Sequence, residues 1–232
     1  MLAHQSSARI EALRSQWLRD KCVLIRNILT HESALAIHNY LASEMPEDKW
    51  YLATYSAKRD SSPKYNRTAG EEGFSTNPRY CYHDRAAGHF SYIFERTLSQ
   101  NHDDDKLARF LDFITSPGPI GLFNLITGLS LASPGEIFAS RYRPGHFLSP
   151  HHDRNNGNVA FVFNLTREWM PDWGGNLHIL KDDKKTISRV IQPHFNSMSL
   201  MHIDMDRGIE HFVSDVAEGV NENRLSVTGW LI

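Results

Sequence analysis

Cysteine is almost absent: Cys22 and Cys81 are the only two in 232 residues, and they lack CxxC spacing. That excludes a disulfide framework and a thiolate metal knuckle, and it makes a reducing setting, the cytoplasm, the simplest expectation. Long apolar runs are missing as well. No stretch approaches the roughly 20 residues of a membrane span, and the N-terminus MLAHQSSARIEALRSQWLRD is too polar for a signal peptide. Charge of one sign is not in excess either. A formal net charge of -2 gives no global pull toward nucleic acid or an anionic membrane. Repeats, low-complexity tracts and a convincing linker are lacking, so a single domain over 1–232 is expected.

What is present falls into two textures. Ile10, Leu13 and Trp17 recur at helical spacing over residues 6–20. CVLIRNIL (22–29) is a short β-type run, and Thr30 with Glu32 opens a second helix whose stripe is Ala36, Ile37, Tyr40 and Leu41. Residues 53–88 show no period and carry Pro63, Gly70, Gly73, Pro78 and Gly88. A loop-rich stretch of that length is more often functional than idle; its tyrosines and basic residues suit either a lid or a surface loop. From 89 to 130 the pattern reads as helical (FSYIFERTL, LARFLDFI, GLFNLITGL), broken at Pro117-Gly118-Pro119. After Pro134-Gly135 come EIFASRYR, NVAFVFNL, GGNLHIL, ISRVIQ, SMSLMHI, HFVSDV and RLSVTGWLI. Seven or eight strands at such short intervals argue for a sandwich or barrel. The expected fold is therefore mostly β, with helical support and a candidate lid over 1–133 and a β core over 134–232.

Histidine is plentiful, at 13, and one cluster stands out in LSPHHDRNNG (148–157). Successive strand side chains point to opposite faces, so His151 and Asp153 converge while His152 points away. A third ligand must come from a later strand folding back, and His178, His194, His202 and His211 all qualify on distance. His211 opens HFVSDV after the turn-like MDRGIE, a ligand-presenting position. Two histidines and a carboxylate make the facial triad of non-haem Fe(II) oxygenases, although the same donors also hold zinc. His102-Asp103-Asp104 and His202-Ile203-Asp204 repeat the H-x-D spelling in settings that read as solvated or structural. In RLSVTGW, Arg224, Ser226, Thr228 and Trp230 share one face, while Leu225, Val227 and Leu231 share the other. An inward Arg224 needs a partner, which a carboxylate ligand would supply; the alternative is a solvent-facing salt bridge.

The ordered series YRPGHFLSPHHD, NVAFVFNL, WGGNLHIL, VIQPHFNSMSLMHI, His211 and RLSVTGW resembles the Fe(II)/2-oxoglutarate-dependent oxygenases, in particular their prolyl 4-hydroxylase-like branch. The resemblance covers roughly 135–232 and implies a double-stranded β-helix (jelly-roll) core. It further implies iron on His151, Asp153 and His211, and the distal carboxylate of 2-oxoglutarate on Arg224 with Ser226. Tyr142, Thr228 and Asn164 fall where relatives contact the cosubstrate. Phe147 and Asn164 depart from the residues often found there. Fe(II), 2-oxoglutarate and O2, with ascorbate as a reductant, are the implied cofactors. Hydroxylation of a prolyl residue or an amino-acid-derived small molecule is the implied reaction, because the carboxylate at 153 leaves no room for halide. A non-catalytic metal-binding barrel (sensor or scaffold), a small-molecule or natural-product oxygenase of the same family and a zinc hydrolase are the rivals; the barrel and the hydrolase leave the Arg224/Ser226 face unexplained.

Overall fold

The computed structural model describes residues 1–67, 79–98, 106–203 and 209–232. The expectations attached to Gly70, Gly73, Pro78, His102-Asp103-Asp104 and Asp204 lie outside the described residues. Helix α1 (Ser7–Asp20) begins where the Ser6 side chain accepts a hydrogen bond from the Arg9 amide, buries Leu13 and Trp17, and ends at Lys21, whose φ is 52°. Strand β1 (Cys22–Arg26) follows, then α2 (His31–Asn39), capped by Thr30, which accepts from the Ser33 amide. The chain continues through β2 (Tyr51–Ser56), β3 (Lys64–Arg67), α3 (Arg79–Ala86), β4 (Ser91–Arg96), α4 (Lys106–Ile114) and α5 (Pro117–Thr127). The C-terminal half is β5 (Pro134–Tyr142), β6 (Phe147–His151), β7 (Val159–Asn164), β8 (Leu177–Leu180), β9 (Ile187–Ile191), β10 (Ser197–His202), β11 (His211–Val213) and β12 (Arg224–Leu231).

The ladders between these strands are antiparallel, in the order β1-β10-β7-β12-β5-β4-β6-β11-β8-β9, with β2 joining β4 to β3. The two ends of this path approach each other: Arg189 on β9 donates to the Cys22 carbonyl on β1 at 3.1 Å. The sheet is thus nearly closed, which limits the exposed strand edge.

Strand alternation assigns the two faces. On β7, Val159, Phe161 and Phe163 pack toward the helices, where Trp17, Phe110 and Phe123 meet them; Ala160 and Val162 face the barrel interior. On β12, Leu225, Val227 and Leu231 join the helix-side core, as the sequence alternation predicts. The helices therefore close the outer face and leave the inner face free for chemistry. Phe163 is 1% exposed and meets Phe110 edge-on at 5.4 Å between ring centres. Phe163→Ala is expected to cost about 3–5 kcal/mol, read as a shift of the urea midpoint at unchanged slope.

Two expectations are corrected. FSYIFERTL is not helical; its centre is β4, hydrogen-bonded to β2, β5 and β6. Nearly every β4 residue is buried, so apolar residues stand on both faces and the two-residue period is masked. The 53–88 stretch is not merely loop, since it holds most of β2, all of β3 and α3.

Candidate metal centre and its cavity

β6 and β11 pair with a shift in register. His211 lies opposite His151 and Val213 opposite Leu148, so three steps along β6 match two along β11. The extra residue falls at Ser149-Pro150, where proline offers no amide to a ladder. A bulge of this kind re-aims the side chains beside it. Here it sets the two imidazoles next to each other, with ring centres 4.3 Å apart.

Asp153 follows two residues later and turns its carboxylate into the same space. Its Oδ1 lies 3.5 Å from His151 Nε2, and its Oδ2 lies 3.5 Å from His211 Nε2. The far side of each ring is fixed by the main chain: His151 Nδ1 lies 3.0 Å from the Ser149 carbonyl and His211 Nδ1 3.0 Å from the Ile209 carbonyl. A carbonyl only accepts, so in the neutral rings Nδ1 carries the proton and Nε2 the lone pair. Among the described residues, these three are the group of metal-ligating side chains whose donor atoms converge, all within 4.8 Å of one another.

Protonation states agree with ligation. Burial raises the Asp153 carboxyl, but the His151 hydrogen bond and the charges of His211 and His151 outweigh it and hold it at about 2. Burial, reinforced by the His151 charge, pushes His211 down to about 4. At neutral pH Asp153 is a carboxylate and His211 a neutral imidazole, the forms that bind a cation.

The triad opens into a cavity of about 490 Å³ whose far wall includes Arg224, Ser226, Ser140 and Tyr142. Arg224 is 2% exposed and lies opposite Tyr142 in the β12–β5 register, its guanidinium 5.0 Å from the Tyr142 ring centre. Its Nε has no hydrogen-bond partner, and its Nη1 reaches only the Ser226 hydroxyl, at 3.5 Å. Burial lowers its pKa. No carboxylate pairs with it among the described residues. Gly175, at φ 60°, makes room for the side chain: a Cβ there would lie 2.9 Å from Arg224 Cδ. Between triad and rim the wall is aromatic. Phe90 stands 5.4 Å from the His151 ring, and Phe94 stacks on Tyr142 at 5.2 Å.

The other sequence-derived positions sort clearly. His152 is exposed and borders a separate depression with His202. His178 stacks on Phe212, His194 meets Arg26, and His202 stands edge-on to Trp17, so His211 alone of the four candidates joins the pair. Tyr142, Ser226, Thr228 and Trp230 line the cavity, with the Thr228 hydroxyl donating to the Phe161 carbonyl at 2.9 Å. Asn164 is not among the lining residues; it is buried behind them, donating from Nδ2 to Ser197 Oγ at 3.2 Å. Tyr65, in the stretch read as a candidate lid, borders the cavity at its exposed side, beside Pro63. Sequence reasoning missed Ser140, whose hydroxyl pairs with that of Ser226 at 2.7 Å. The i, i+2 spacing of Ser140 and Tyr142 was the available signal.

Residues 137–232 match the model of the 2OG-Fe(II) oxygenase superfamily. That match spans the C-terminal β core, under half of the chain. Similar solved structures extend the likeness to the whole fold. A Pseudomonas putida prolyl-4-hydroxylase shares 16% identity at a TM-score of 0.55, over 96% of this chain and 97% of that one. A prolyl hydroxylase from Trichoplax adhaerens, in complex with a hypoxia inducible factor oxygen degradation domain peptide fragment, shares 14% at a TM-score of 0.62, over 98% and 94%. The non-heme alpha ketoglutarate dependent epimerase SnoN from nogalamycin biosynthesis shares 16% at 0.54, over 96% and 82%. At these identities the likeness speaks to the jelly-roll fold. No curated protein matches the sequence.

The oxygenase family uses Fe(II), 2-oxoglutarate and O2, and the residues present suit them. Two imidazole lone pairs and a carboxylate are the donor set of non-haem Fe(II) oxygenase sites, and the unpaired buried guanidinium suits a dicarboxylate. The matched residues and this donor set together support a dioxygenase. No helix among the described residues is long and apolar enough to cross a membrane.

Proposed function

We propose that this oxygenase hydroxylates an unactivated C–H bond of a prolyl residue or an amino-acid-derived molecule, with His151, Asp153 and His211 as iron ligands and Arg224 as the anchor of 2-oxoglutarate. The observation that carries the reading is the buried Arg224 with no carboxylate partner among the described residues, in the same cavity as the three converging donors. When bound, the iron and 2-oxoglutarate supply oxidising power from O2, with succinate and CO2 released.

The chain's own residues bind, orient and exclude. Arg224 receives a carboxylate that would otherwise go unpaired in a buried site, and bidentate geometry fixes its orientation. Ser226 and Ser140, bonded to each other, leave lone pairs and one hydroxyl proton to share with that carboxylate. Tyr142, held by stacking on Phe94, forms the floor beneath the guanidinium. Thr228 has committed its proton to the Phe161 carbonyl and offers only acceptor capacity. Phe90, Phe94 and Trp230 keep water from the reacting centre. Asp153 fills the ligand position with a carboxylate, which favours hydroxylation over transfer of a metal-bound halide.

The test is a screen of prolyl peptides and free amino acids with Fe(II), 2-oxoglutarate and O2. The expected result is a product heavier by one oxygen atom, formed with an equal amount of succinate. Turnover with zinc and without 2-oxoglutarate would favour a hydrolase instead.

A further inference from the structure

We infer that Ser149 is a positioning residue for the metal centre, an inference that rests on the ligand set proposed above. The bulge that brings His151 opposite His211 also ends the neighbouring ladder. β4 and β6 pair at Tyr92–Leu148 and Ile93–Phe147, and no further pair joins these strands toward the triad. The next backbone groups of β4 belong to Ser91, which is fully buried, and there they need partners. The Ser149 side chain takes the place of the missing ladder bonds. Its Oγ accepts from the Ser91 amide at 2.8 Å and donates to the Ser91 carbonyl at 2.6 Å. One hydroxyl serves both because it has a proton and lone pairs.

The same residue holds the ligand. The Ser149 carbonyl faces His151 Nδ1 at 3.0 Å, so the side chain is clamped to β4 while the main chain orients the imidazole. The ring cannot turn without moving the Ser149 peptide, and that peptide cannot move without breaking two buried hydrogen bonds. The anchor behind it is rigid too. Ser91 Oγ donates to the Cys81 carbonyl on α3 at 3.0 Å. One turn on, the fully buried Asp84 accepts from Ser56 Oγ at 2.7 Å and from Arg59 Nε at 2.6 Å. Alanine at 149 would leave two buried backbone groups of β4 unsatisfied and free the carbonyl that sets the ring.

The experiment uses the full chain with Co(II) in place of iron, under anaerobic conditions, and reads affinity and the d–d absorption bands. Ser149→Ala is expected to weaken Co(II) binding by roughly 10–100-fold, the usual effect of losing an outer partner of a ligand, and to shift the bands. With Fe(II), its kcat for succinate formation should fall while the KM for 2-oxoglutarate stays within about twofold, since Arg224 is untouched. Ser149→Thr keeps the hydroxyl and should restore the bands. Ser91→Ala removes only the link to α3 and should weaken Co(II) binding far less than Ser149→Ala does; a loss equal to that of Ser149→Ala would overturn the assignment to the Ser149 hydroxyl. His151→Ala separates the two layers of the argument. If it binds Co(II) like the parent, the ligand reading fails. If it loses the metal while Ser149→Ala keeps parental affinity and bands, the positioning role is overturned. Should Ser149→Ala not fold, Ser149→Cys, nearly as small and a weak hydrogen-bonder, carries the test by the same criteria.

Discussion

Replacing Arg224 by methionine is expected to make the ligand-free protein more stable and at the same time blind to 2-oxoglutarate. The two effects have one cause. Arg224 is buried with an unpartnered Nε and a single long contact to Ser226, so the folded protein carries a desolvated cation without a matching anion. Even a paired buried charge, replaced by an apolar side chain of similar volume, often yields about 1–4 kcal/mol of stabilisation, and an unpaired one has less to lose. Methionine follows the same path over Tyr142 and past Gly175 without the charge. The ligand-free melting temperature should therefore rise. In the parent, 2-oxoglutarate with Mn(II) should raise it further by mass action; in Arg224→Met that increment should vanish. The KM for 2-oxoglutarate should increase by roughly 100-fold or more, as when one partner of a buried charge pair is truncated. An unchanged KM would remove Arg224 from the anchor role, whatever the stability does.

The face that presents Arg224 was readable from the sequence because β12 is a half-and-half strand. Leu225, Val227 and Leu231 go to the helix side, and Arg224, Ser226, Thr228 and Trp230 go to the cavity, so the period of two survives in the residue types. The same rule picked His151 and Asp153 over His152, although β6 ends at His151 and Asp153 turns inward from the segment after it. β4 hid itself for the converse reason. Its inward Tyr92 and Phe94 and its outward Ile93 are all apolar, and a strand covered on both faces carries no alternation to find. The bulge at Ser149-Pro150 was also out of reach, because a bulge is a relation between β6 and β11, and single-chain periodicity does not contain the partner. Pro150 hinted at an interrupted ladder but not at where the extra residue would aim the histidine. Asn164 shows the limit of face arguments. It shares a face with Ala160 and Val162 and stands opposite the cavity-lining Ser226, yet its amide turns to Ser197 and it does not line the cavity. Alternation gives the face of a strand, not what a polar side chain on that face bonds to.

Asp153→Ala should abolish succinate formation while the barrel stays folded. The carboxylate is the one anionic donor of the triad, and its two oxygens each face a different imidazole at 3.5 Å. Outer partners of metal ligands are worth roughly 10–100-fold in affinity or activity, so deleting a ligand outright should exceed that, by an amount on the order of 1,000-fold. Stability should fall modestly without loss of the fold, because the histidine neighbours outweigh burial at the ionised Asp153 and that net gain is lost with the carboxylate. Far-ultraviolet circular dichroism and the melting temperature check the fold; succinate release checks the chemistry. Asp153→Asn sharpens the reading, since it preserves shape and one acceptor oxygen but removes the charge. If charge donation to the metal is what matters, the asparagine variant should sit near the alanine variant in turnover. Formate, a carboxylate small enough to enter the space vacated in Asp153→Ala, should then restore part of the activity, and it should do nothing for Asp153→Asn, where the space is filled. Full activity in either variant would take Asp153 out of the ligand set and leave the two histidines in need of another partner.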